Sequence, residues 1–182
     1  LAQGQGISLL LRAYKATNQA NYLDSAHRAF ESFLADPSQG GITWNWPNGD
    51  IWFEEYIVDP PTHILNGFIW ALWGVYDYYQ STGSKVARSL FENGIKSLEH
   101  RLPDYDWSNW SLYELSGTKM KMIASPFYHR LHVVQLRATA RLSGNSKLVE
   151  YADRWERFTN SYWSRTRALV YKILFKIFYY LI

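Results

Sequence analysis

Three short stretches of the chain gather side chains that move protons. Trp52-Phe53-Glu54-Glu55-Tyr56 sets two carboxylates beside a phenol. Ser111-Leu112-Tyr113-Glu114-Leu115 sets one carboxylate beside a second phenol. Tyr128-His129-Arg130-Leu131-His132 adds a third phenol, a guanidinium and two imidazoles. A carboxylate near a phenol works as an acid/base pair when both reach the same proton. On a strand, Glu54 and Tyr56 would share one face and Glu55 the other. The plainer alternative is an exposed carboxylate pair on a hairpin. His129 and His132 stand three residues apart, on one face of a helix. Such a pair can bind a metal, but no third or fourth ligand follows and no His-Glu-x-x-His pattern occurs, so no metal is assigned. Helix N-terminal N–H groups favour anions, which suits Arg130 and its neighbours to a carboxylate or sulfate. The chain has no phosphate loop, no Gly-x-Ser-x-Gly elbow and no cysteine. Proton transfer remains, or binding alone.

The elements that must position these groups carry a heavy aromatic load: 9 Trp, 14 Tyr and 9 Phe in 182 residues. Flat apolar faces with polar tips suit sugar-binding sites, and they suit a core equally well. A net charge of +3 favours an anionic partner only mildly. The basic residues of the final third are spread at helical spacings, and nucleic-acid signatures are missing, so no nucleic-acid partner is expected. The chain opens at Leu1 without an initiator Met, at the mouth of a helix, as expected of a piece of a longer protein.

Periodicity places a helix over 4–18, a second capped by Asn21, and a stop at Pro37 and Gly40-Gly41. Residues 42–58 alternate around a Pro47-Asn48-Gly49-Asp50 turn and read as a hairpin. Thr62 caps a predicted helix of 62–81, Ser84 opens another to about 102, and an irregular stretch spans 103–128. Two further helices, 129–142 and 145–163, break at Ser143-Gly144. Helix pairs thus recur roughly every 60–65 residues, a spacing typical of stacked or toroidal assemblies. The expected fold is mainly α: a partial α/α-toroid of about three helix pairs with short β-hairpins between pairs. Residues 1–163 form the expected domain and 164–182 an apolar helix or tail. Its segment 168–182 is shorter than the ~20 residues that span a bilayer, so it reads as a docking or interfacial helix in contact with a membrane.

The chain resembles the C-terminal domain of the D-glucuronyl C5-epimerase family. The resemblance runs in order through Ala2-Gln3-Gly4-Gln5-Gly6-Ile7, Trp52-Phe53-Glu54-Glu55-Tyr56, Leu65-Asn66-Gly67-Phe68, Gly74-Val75-Tyr76-Asp77, Ala87-Arg88-Ser89-Leu90, Leu102-Pro103-Asp104-Tyr105 and Tyr128-His129-Arg130-Leu131-His132. The family's tyrosines match Tyr56 and Tyr128 in context. Tyr113 matches a third, but Ser116 and Gly117 stand where the family has arginine and histidine.

The resemblance implies an isomerase that inverts C5 of glucuronate inside a heparosan- or heparan-like polysaccharide. The C5 hydrogen lies beside a carboxylate, so that carboxylate must be neutralised while a proton leaves one face and another returns to the opposite face. A phenol is a competent base only where neighbours depress its usual pKa of about 10. Tyr128 and either Glu55 or Tyr56 are the implied bases, with Tyr113 polarising the carboxylate. Glu54, Asn66, His129, Arg130, His132 and Trp52 are the implied substrate-binding residues. No cofactor is required. The expected partners are the anionic uronate polysaccharide and a second copy of the chain in a homodimer. The implied setting is the Golgi lumen in a eukaryote, or a cell-surface polysaccharide pathway in a bacterium or archaeon. Two other readings use the same residues: a polysaccharide lyase that ends in β-elimination, and a non-catalytic glycan-binding domain.

Overall fold

The computed structural model describes residues 1–181, so Ile182 of the apolar segment 168–182 lies outside the described residues. The chain is mainly helical, with two short antiparallel strand pairs. It divides into two compact units. The first comprises 1–63 and 67–100; the second comprises 64–66 and the chain from Arg101 onward.

In the first unit, α1 (Ala2–Thr17) packs on α2 (Ala20–Glu31). Gly4, Ile7 and Leu11 make the buried stripe of α1 at helical spacing. Asn18 ends the helix in the left-handed region (φ 55°), its N–H donating to the Tyr14 carbonyl at 2.8 Å. The helix α3 (Leu65–Thr82) runs through the core, with Phe68, Ile69, Ala71, Leu72 and Val75 fully buried. Helices α1 and α3 cross almost backbone to backbone. A Cβ on Gly74 would lie 2.3 Å from the Gly4 Cα, so only glycine fits there. Helix α4 (Lys85–Tyr105) meets α3 through Gly94 against Leu72 and through Phe91 against Tyr76. Ser84 opens α4 as the sequence predicts, its Oγ accepting from the Ala87 N–H. Pro103 does not end it. The helix continues to Tyr105 although the proline has no N–H to give to the carbonyl four residues back.

Between the helix pairs of this unit lies the hairpin of β1 (Thr43–Asn45) and β2 (Ile51–Phe53), with Trp44 opposite Trp52. It is shorter than the 42–58 reading, and all three residues of β2 are buried. Trp52 stacks on Phe68 (3.9 Å between centroids) and Phe53 meets Phe33 edge-on. Thr62 does not cap α3. Its hydroxyl makes no hydrogen bond among the described residues, His63 takes a left-handed φ of 50°, and the helix starts only at Leu65.

In the second unit, β3 (Asp106–Trp107) and β4 (Trp110–Ser111) are joined by Ser108 and Asn109, both at positive φ. Two successive left-handed residues give the turn that matches the twist of a tight hairpin. Helices α5 (Pro126–Ser143) and α6 (Ser146–Asn160) pack together, with Gly144 between them at φ 72°. Helix α7 (Tyr162–Leu181) follows. It is seated by Lys172, whose Nζ donates to the Ile123 carbonyl at 2.6 Å, and by Tyr171, which packs on Trp107.

Candidate active site

The sequence-predicted residues fall in both units, and each group has its own local frame. In the first unit, the chain leaves β2 at Phe53 and is caught at once. The Glu54 N–H donates to the Ile42 carbonyl at 2.8 Å. The Glu54 carboxylate accepts from the His63 backbone N–H at 3.0 Å and bonds the His63 ring through Nδ1. Both residues are buried. A buried carboxylate needs such partners, and both Glu54 oxygens are engaged by His63. Glu54 is therefore a clamp on the 54–63 loop, not the exposed or substrate-facing carboxylate expected from the sequence. The strand alternation also fails beyond Phe53, because the loop replaces it: Glu54 is buried while Tyr56 is 57% exposed.

Glu55 is half-buried and lies over Gly67, where a Cβ would come within 2.2 Å of its Oε2. That Oε2 is buried and has no hydrogen-bond partner among the described residues. Trp52 cannot serve as a sugar platform, since its ring is fully enclosed and stacked on Phe68. The half-buried Trp44 and Trp46 flank His63 instead, with centroids 6.0 and 4.5 Å away. Sequence reasoning missed His63, which it absorbed into a helix, and it had no signal to prefer Trp44 or Trp46 over Trp52.

In the second unit the structure brings Tyr113 and Tyr128 together, their rings 4.9 Å apart and inclined at 62°. Tyr128 sits in the first turn of α5, where Ser125 caps the helix by accepting from the Tyr128 N–H. Tyr113 is held through its backbone: its N–H donates to the Met122 carbonyl at 2.7 Å and its carbonyl accepts from the Leu65 N–H at 3.2 Å. Glu114 accepts from the Ser116 hydroxyl, so this segment closes on itself.

Behind the two phenols lies a buried polar chain. His129 stacks on Trp110 at 3.8 Å. Its Nε2 lies 3.0 Å from the Trp155 carbonyl, which can only accept, so Nε2 carries the proton. Nδ1 then accepts from the Ser111 N–H (3.1 Å) and hydroxyl (2.8 Å). The Ser111 oxygen in turn accepts from His132 Nδ1 at 2.9 Å, leaving His132 Nε2 as a buried acceptor. Burial pushes His129 down to about 4 and His132 down to about 3, the latter also through its neighbour His129, so both rings are neutral at pH 7. The substrate contact expected of His129 and His132 is not open to fully enclosed rings; they stand behind Ser111 and brace β4. Arg130 lies on the exposed side of α5. Asn66 is buried, its backbone carbonyl accepting from Gln135 Nε2 at 3.1 Å. Ser111 and Gln135 were not among the residues picked from the sequence, because neither type stands out without its partners.

A helical fold with short hairpins, bearing phenols on irregular segments and helix starts, defines a class that comparison with known proteins narrows. The family model for the D-glucuronyl C5-epimerase C-terminus matches residues 1–157, and the chain belongs to that family. It is 35% identical over 170 residues to D-glucuronyl C5-epimerase of Caenorhabditis elegans, covering 85% of this chain and 27% of that protein. It is 31% identical over 158 residues to an uncharacterized protein of Methanocaldococcus jannaschii, covering 85% of this chain and 50% of that protein. The chain thus spans half or less of the length of these curated relatives.

Proposed function

We propose that this chain is the C-terminal part of an epimerase that inverts C5 of D-glucuronate to L-iduronate within a heparosan- or heparan-like polysaccharide. The observation that carries this reading is the contact of Tyr113 with Tyr128, two of the three tyrosines that the family resemblance singles out. Tyr128 removes or returns the C5 proton on one face, and Glu55 or Tyr56 serves the other. Tyr113 polarises the uronate carboxylate, which must be neutralised before the adjacent carbon can lose a proton. Arg130 and the N-terminal N–H groups of α5 offer a second anion contact. His129 and His132 act as positioning residues through Ser111, two residues from Tyr113. In this reading the three helix pairs α1–α2, α3–α4 and α5–α6 are a segment of an α/α-toroid.

The test uses the full-length protein with uronate polymers in deuterated water. Deuterium at C5 without chain cleavage is the expected result. Ultraviolet absorbance from an unsaturated chain end would replace the reading with a lyase, and neither signal would leave a glycan-binding domain.

A further inference from the structure

Helix α7 follows the last residue matched by the family, and its outer face is apolar. Ser164 and Ala168 are buried, and Tyr171 and Lys172 contact the second unit, so one side of the helix is fixed. At 100° per residue, Tyr162, Leu169, Ile173 and Ile177 form a stripe on the opposite side, with Trp163, Val170 and Leu174 beside it. These side chains are strongly exposed, from 44% at Leu174 to 76% at Trp163. Arg165 and Lys176 border the stripe on one edge. Arg167 borders it on the other, donating to the Ser108 hydroxyl. The helix carries no Asp or Glu.

From this arrangement we propose that α7 docks the protein on an anionic membrane surface, lying in the plane of the interface with its stripe among the acyl chains. Arg165 and Lys176 reach back to the headgroups, as in interfacial amphipathic helices, while Arg167 keeps the other edge basic from its place beside Ser108. No helix among the described residues is long and apolar enough to cross a membrane, which leaves the surface orientation for this one. Charge selects the occupant. A second copy packed on the same face would bring basic edges together with no acidic residue on either helix to pair them, whereas anionic headgroups complement both edges.

Co-flotation of the full chain with vesicles tests this. Binding to phosphatidylcholine vesicles containing roughly one-third phosphatidylserine, and weak binding to phosphatidylcholine alone, is expected. Leu169→Glu/Ile173→Glu should abolish binding. Arg165→Gln/Lys176→Gln, which leaves the apolar stripe intact, should weaken it about tenfold or more at low salt. Circular dichroism checks that each variant keeps its helices. No flotation with either vesicle overturns the proposal. So does equal flotation with both, which would remove the role of the basic edges. A dimer in sedimentation velocity that Leu169→Glu/Ile173→Glu dissociates, without flotation, assigns the face to a second copy instead.

Discussion

Tyr56 and Tyr128 are held by opposite means. Tyr56 follows a strand end and extends from a loop, 57% exposed, with the order concentrated just before it in the Glu54–His63 clamp. Tyr128 stands in a capped helical turn against Tyr113, with the buried His129–Ser111–His132 chain one layer behind. The second arrangement is set before any substrate arrives, and preorganised groups cost little reorganisation at the moment of reaction. The first leaves the phenol to be surrounded by whatever binds it. The two phenols thus differ in how much of their environment the protein itself supplies.

The largest effect should come from the phenols themselves. Tyr128→Phe and Tyr56→Phe in the full-length protein should each cut C5 exchange by about a hundred- to ten-thousand-fold while the helical circular dichroism persists. Exchange retained in both variants refutes their assignment. Next comes the acid response of the braced side. The unfolded chain protonates these histidines from about pH 6.5 downward, and the folded chain only near 4 and 3. Stability is therefore full above pH 6.5 and is lost as pH falls through that window. Between about pH 7 and 5 the pair contributes a loss of up to about 4 kcal/mol, read from urea midpoints. A midpoint that stays constant over that range removes the buried chain from the comparison. The smallest effect tests the loop side. Gly67→Ala drives a methyl into Glu55 and should cost about 1–3 kcal/mol in thermal or urea unfolding. An unchanged midpoint would show that Glu55 moves aside freely.

The helices were legible because their signals are local. Ser84 and Ser143-Gly144 punctuate the sequence where helices start or stop, whereas α2 runs from Ala20 to Glu31, beginning ahead of Asn21 and ending well before Pro37 and Gly40-Gly41. The hairpin was legible in place but not in length. Nothing in the alternation of Ile51 to Val58 encodes a bond from Glu54 to a histidine nine residues on. The same limit hid the burial of Trp52, His129 and His132. Residue type marks them as suited to a site, but only packing against Phe68, Trp110 and Trp155 turns them inward. Tyr113 and Tyr128 were named from the resemblance, and their ring contact depends on a hairpin and a helix cap that bring distant residues side by side.

The Gly4–Gly74 crossing also limits how this fold can vary. Most core contacts can be traded, one methyl lost here and another gained there. A crossing already built from bare backbone has nothing left to trim, so every substitution at it is an enlargement. Sliding α1 along α3 by a residue would bring a side chain into the same gap. The crossing therefore works as a detent that fixes the axial phase of the two helices, and length changes between them are confined to the loops.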